Sequence, residues 1–144
     1  MKKKNRGLFL DAQHRLELRE YPVPVPEQGE LLVKIEANGI CGSDVQFYRE
    51  GRLGNFKVTV PYIPGHEASG IVVAVGPGVK HFKEGDKLVI EPGFPCGRCS
   101  FCKIGRYNLC PDVIFLSAPP INGTFCDYLT MPESFAYHMP DNMS

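Results

Sequence analysis

Cys41, His66 and Glu67 offer a thiol, an imidazole and a carboxylate, three side chains of the kinds that bind zinc. His66 and Glu67 are neighbours in Pro64-Gly65-His66-Glu67-Ala68-Ser69-Gly70, and Cys41 lies in the earlier segment Gly39-Ile40-Cys41-Gly42-Ser43-Asp44. Three protein ligands with one position left open is the arrangement of a catalytic zinc rather than a structural one. Neighbouring side chains on a regular strand point to opposite faces. His66 and Glu67 can therefore converge only where the backbone bends, and Gly65 permits that bend.

A second group is denser. Cys96-x2-Cys99-x2-Cys102-x7-Cys110 places four thiols in a short lobe, residues 93–112. Cys-x2-Cys turns aim two sulfurs at one point, which suits a closed, structural zinc. An iron–sulfur cluster is the other four-cysteine solution, but its usual spacing has a different rhythm. The lobe holds few apolar side chains, so its folding should depend on its metal. Cys126 stands outside both groups and reads as core. His14, His81 and His138 each stand alone and read as surface or hydrogen-bonded residues.

The elements that must position these groups are mostly strands. Gly7-Leu8-Phe9-Leu10 and Arg15-Leu16-Glu17-Leu18-Arg19 flank a turn near Asp11, the second alternating with period two and one wet face. Tyr21-Pro22-Val23-Pro24-Val25-Pro26 is an extended connector, because alternate prolines forbid regular ladder pairing. Residues 30–40 form the clearest strand and deliver the chain to Cys41. Ser43 or Asp44 can N-cap a short helix over 45–48. In a functional account, Ser43 is instead a hydroxyl relay and Asp44 an acceptor for the ring N–H of His66. Gly51 to Phe56 reads as a loop. Ile71-Val72-Val73-Ala74-Val75 is apolar throughout and should be covered on both faces. Residues 87–91 and 125–131 read as further strands, and 115–125 as an irregular loop able to wall a pocket. Short strands broken by Gly and Pro turns imply a small barrel or sandwich.

Composition bounds the partners. At 144 residues the chain fits one domain. Sixteen basic residues balance sixteen acidic ones, so no charge excess points to nucleic acid or an anionic membrane. Met1-Lys2-Lys3-Lys4 is not followed by the apolar stretch of a secretory signal, and no apolar run reaches membrane-spanning length. A cytoplasmic protein with reduced cysteines is expected.

In this order, the Gly39–Asp44 turn, Gly65-His66-Glu67, Val75-Gly76-Pro77-Gly78-Val79, Gly85-Asp86 and the four-cysteine lobe resemble the zinc-containing medium-chain alcohol dehydrogenases over nearly the whole chain. Pro111-Asp112-Val113 and Ala118-Pro119-Pro120-Ile121-Asn122-Gly123-Thr124 are most similar to the sorbitol (L-iditol) 2-dehydrogenase branch. The resemblance implies a mainly β, GroES-like barrel over 1–144, with short helices and the zinc lobe. It also implies a Rossmann domain that binds NAD. No Gly-x-Gly-x-x-Gly occurs in the chain, so the chain is expected to be the N-terminal catalytic half, inactive alone.

The implied activity is oxidation of sorbitol or a related small polyol to the ketose, with NAD or NADP, in a homo-oligomer, dimer or tetramer. Cys41, His66 and Glu67 would hold the catalytic zinc, and Cys96, Cys99, Cys102 and Cys110 the structural one. Glu67 is a direct ligand in the polyol branch and often one step removed in the others. Ser43 would relay the proton. Phe47, Tyr48, Leu53, Phe115 and Leu116 would wall the substrate, although ordinary barrel core would account for each of them equally. The alternatives are another branch, acting on threonine or a simple alcohol, or a non-enzymatic zinc-binding interaction module. An interaction module has no need of an open metal site.

Overall fold

The computed structural model describes residues 4–143; Met1, Lys2 and Lys3 of the basic N-terminal run, and Ser144, lie outside the described residues. Strands β1 (Lys4–Leu10) and β2 (Leu16–Pro22) form an antiparallel hairpin. Then follow β3 (Glu30–Gly39), helix α1 (Gly42–Glu50), the two-residue strands β4 (Arg52–Leu53) and β5 (Phe56–Lys57), and β6 (Glu67–Val75). After β7 (Lys87–Ile90), the lobe is framed by β8 (Gly93–Phe94) and β9 (Ile114–Phe115), with the short helix α2 (Ser100–Lys103) between them. Strands β10 (Tyr128–Pro132) and β11 (Ala136–His138) complete the chain.

Five strands make one antiparallel sheet in the order β10-β3-β6-β7-β11. Its covered face buries Leu31, Val33, Val72, Leu88 and Met131 in the main core. A smaller core joins Leu10, Phe47, Val58 and Tyr62 under α1. Antiparallel sheets commonly keep one face wet. That corrects the expectation for residues 71–75: Ala68, Gly70 and Val72 are buried in alternation, and Val75 is 40% exposed.

Several elements differ from the sequence reading for identifiable reasons. Strand β2 runs on through Tyr21 and Pro22 and is mostly exposed, including Leu16 and Leu18. The 51–56 loop is a β4–β5 turn. Strands β9 and β11 are too short to show a period and exist through their partners β8 and β7. No helix among the described residues is long and apolar enough to cross a membrane.

Candidate metal centres

Strand β3 ends at Gly39, and Cys41 becomes the N-cap of α1, in extended backbone. Neither Ser43 nor Asp44 is the cap. Asp44 instead sits three residues into the motif, where its carboxylate reaches back to accept the Cys41 N–H at 3.0 Å. Its other oxygen accepts the Gly65 N–H at 3.1 Å. One buried carboxylate thus ties the cysteine turn to the histidine turn.

The histidine turn is clamped from its other side. The Thr124 N–H donates to the Gly65 carbonyl at 2.8 Å and the Phe125 N–H to the Pro64 carbonyl at 2.9 Å, while the Asn122 side chain accepts the Ile63 N–H at 2.9 Å. Gly65 holds φ +94, and a Cβ there would meet Thr124 and Phe125 at 2.9 Å. Only glycine fits this bend. His66 then precedes β6, and Glu67 opens it opposite Gly39.

These turns bring one donor atom each from Cys41, His66 and Glu67 within 4.8 Å of one another. Donors around a tetrahedral zinc, with bonds of about 2.0–2.3 Å, sit within that span. Cys41 and His66 are half-buried and Glu67 is exposed, so the group is open on one side. A thiol, an imidazole and a carboxylate converging with no lysine or arginine bonded to them among the described residues fit a divalent zinc.

The ring of His66 is held differently from the sequence expectation. Its Nδ1 lies 2.8 Å from the Ser117 hydroxyl. Asp44 is 3.8 Å away, too far for a hydrogen bond, because its oxygens are committed to the two backbone N–H groups. Ser117 was missed in the sequence; its only signal was a lone hydroxyl within Phe115-Leu116-Ser117-Ala118-Pro119.

The proposed wall residues scatter. Phe115 packs edge-on to the His66 ring, with centroids 5.4 Å apart. Leu116 turns into the main core. Phe47 is buried against Tyr62, with Leu53 packed beside it. Tyr48 is half exposed and lines an apolar groove with Leu8, Leu16, Ile40, Val45 and Phe125. Ser43 is half-buried in the first turn of α1.

In the lobe, donor atoms of Cys96, Cys99, Cys102 and Cys110 also lie within 4.8 Å of one another. The Cys99–Cys102 and Cys96–Cys102 sulfur separations are 3.4 and 4.0 Å. A tetrahedral zinc with sulfur bonds of about 2.3 Å requires about 3.8 Å, which these values bracket. Backbone N–H groups of Cys96, Cys99 and Cys102 point at the sulfurs of Cys110, Cys96 and Cys99. N–H groups of Arg98 and Cys99 bring the Cys96 thiol down to about 6. Burial, then the neighbouring Cys99 thiol, pushes Cys102 up to about 12. Four sulfurs this close suit a shared cation that would take the place of their protons, and the lobe is positioned to bind zinc. Cys126 is apart from both groups, its thiol donating to the Tyr128 carbonyl at 3.3 Å.

The alcohol dehydrogenase GroES-like domain family matches residues 27–141. Sorbitol dehydrogenase of Bacillus subtilis (strain 168) is 49% identical over 129 residues, 90% of this chain and 36% of its own length. The crystal structure of L-idonate 5-dehydrogenase from Escherichia coli K-12 superposes with a TM-score of 0.89 at 31% identity, over all of this chain and 42% of that one. A short chain alcohol dehydrogenase from E. coli CFT073, complexed with NADH, superposes at 0.86 and 30% identity, over 98% of this chain and 40% of that one. The chain thus spans about two-fifths of the length of such relatives.

Proposed function

The chain belongs to the alcohol dehydrogenase GroES-like domain family, and on that footing we propose that it is the catalytic domain of a zinc-dependent, NAD-linked polyol dehydrogenase. The whole protein would oxidise sorbitol or a related small polyol to the ketose. The observation that carries this reading is the convergence of Cys41, His66 and Glu67 beside a separate four-cysteine lobe. A scaffold alone has use for the lobe but not for the open group.

Cys41, His66 and Glu67 would hold the catalytic zinc, and Cys96, Cys99, Cys102 and Cys110 the structural one. When bound at the open site, zinc supplies a Lewis acid that makes a substrate hydroxyl more acidic. The chain's own residues do the rest of the work on this side. Ser43, two positions from Cys41, takes the hydroxyl proton toward solvent. Phe115 packs edge-on against the His66 ring and gives that side of the site an apolar face. Tyr48 gives the wall an exposed aromatic face, while Phe47 and Leu53 pack with Tyr62 in the core beneath α1.

The rest of the whole protein would contribute a Rossmann domain whose nicotinamide accepts the hydride, as residues 1–144 form the catalytic unit with its lobe at 93–112. A reducing compartment such as the cytoplasm suits two thiolate-rich metal sites, and a homo-oligomer, dimer or tetramer, is the assembly we assign. Sorbitol is favoured over threonine or a simple alcohol by the 49% identity to a sorbitol dehydrogenase.

Elemental analysis tests the site assignment. Two zinc ions per chain should fall to one when Cys41→Ala is combined with His66→Ala. One zinc in both proteins would overturn it. NAD-linked turnover of the whole protein on sorbitol and xylitol, exceeding that on threonine and ethanol, tests the substrate class.

A further inference from the structure

We propose that Ser117 is a positioning residue for His66: its hydroxyl, rather than the Asp44 carboxylate, fixes the tautomer and tilt of the imidazole at the open metal site. This rests on the reading of Cys41, His66 and Glu67 as metal ligands.

The first support is geometric. Ser117 Oγ lies 2.8 Å from His66 Nδ1, and Ser117 is 2% exposed, so water does not compete for the contact. An acceptor at Nδ1 keeps the proton there and leaves Nε2, with its lone pair, as the nitrogen free to ligate. Asp44 stands at 3.8 Å, with its oxygens bonded to the N–H groups of Cys41 and Gly65.

The second support is the backbone. Ser117 holds φ +66, and among the described residues His14 is the other non-glycine with positive φ. A residue with a side chain is strained in this region, and glycine is not. What serine has there and glycine lacks is the hydroxyl. The strain persists because the surroundings fix the loop: the Ser117 Cβ lies 2.7 Å from where a Cβ on Gly123 would stand, and Gly123 is bonded to the Ile63 carbonyl in the histidine-turn clamp.

The two supports predict that metal affinity and stability separate. Ser117→Gly removes the hydroxyl and relieves the strain; Ser117→Ala removes the hydroxyl and keeps the strain. The test is zinc affinity at the open site, by competition with a chromophoric chelator after the lobe is loaded, together with melting of the same proteins with the open site stripped. Both variants should bind the second zinc about tenfold more weakly. The lobe ion should be unaffected, and the Gly variant should melt no lower than wild type. If Ser117 only packs the loop, affinity will follow stability and the Gly variant will keep wild-type affinity, which overturns the proposal. A wild-type chain with no second zinc overturns both this proposal and the ligand reading beneath it.

Discussion

At the scale of single residues, the place of Glu67 as the proposed third ligand depends on an atom that is missing. Gly39 pairs with Glu67 across β3 and β6, and a Cβ on Gly39 would come to 2.4 Å from Glu67 Oε2. The clash is with the mobile end of an exposed side chain, so the sheet can tolerate it and the carboxylate cannot stay. Gly39→Ala should therefore leave the melting temperature within a few degrees of wild type while weakening zinc at the open site, as measured by chelator competition. A large loss of stability with unchanged affinity would refute this account. The residues that converge were legible in the sequence, because Cys41 and His66-Glu67 are recognisable by chemistry and by the glycine that lets the chain bend. What surrounds them was not. Asp44 looked like an acceptor for the His66 ring, yet two backbone N–H groups occupy it, and Ser117 arrives from a loop whose path no local pattern dictates.

At the scale of elements, long strands could be read and short ones could not. Strands β3 and β6 carry enough apolar residues to declare themselves, whereas β9 and β11 are made by their partners. The N-terminal hairpin shows how such partnerships are secured. Asn5, fully buried, accepts the Tyr128 N–H and donates to the Tyr128 carbonyl, standing in for a strand neighbour. Next to it Arg6 grips the Asp127 carboxylate through its guanidinium, at 2.9 and 3.1 Å, and through its backbone N–H. These bonds, the guanidinium's foremost, hold the Asp127 carboxyl below its ordinary 3.8. A carboxyl depressed in the folded state adds stability above its unfolded value, and that stability is lost as pH falls through the folded value. Asp127→Asn should therefore melt slightly below wild type at neutral pH, with the gap closing as pH falls below the ordinary carboxyl value of 3.8. A gap constant with pH would mean that the amide loses packing rather than charge. The effect is modest because the Arg6 side chain is 59% exposed.

At the scale of the whole molecule, the lobe and the open site are joined by chain as well as by family. Between residues 96 and 115 only Cys110 is buried, so no apolar core holds this segment, and on the proposed assignment zinc supplies its folding free energy. The segment returns to the body through β9, whose Phe115 packs on the His66 ring, and two residues later comes Ser117. Loss of the lobe's metal should therefore loosen the groups that hold the His66 ring. Cys99→Ser, which removes one of the four thiols, should abolish hydrogen-exchange protection over 96–117 while β3, β6 and β7 stay protected by the main core. Zinc at the open site should weaken in the same variant. The coupling free energy is equal in both directions, but its visible effects are not. On the proposed assignment the lobe's four thiols hold their own zinc independently of the open site, so Cys41→Ala with His66→Ala should leave protection over 96–110 in place. Protection of the lobe in Cys99→Ser equal to wild type would show that backbone pairing between β8 and β9, and the Tyr107 and Tyr137 hydroxyls meeting on Glu91, hold it without metal. One two-residue strand pair, the local turns of the lobe and two exposed side-chain hydrogen bonds bury almost no apolar surface, too little to offset the ordering of some twenty residues at about 1–2 kcal/mol each, and for that reason the expected outcome is that the four cysteines carry the lobe.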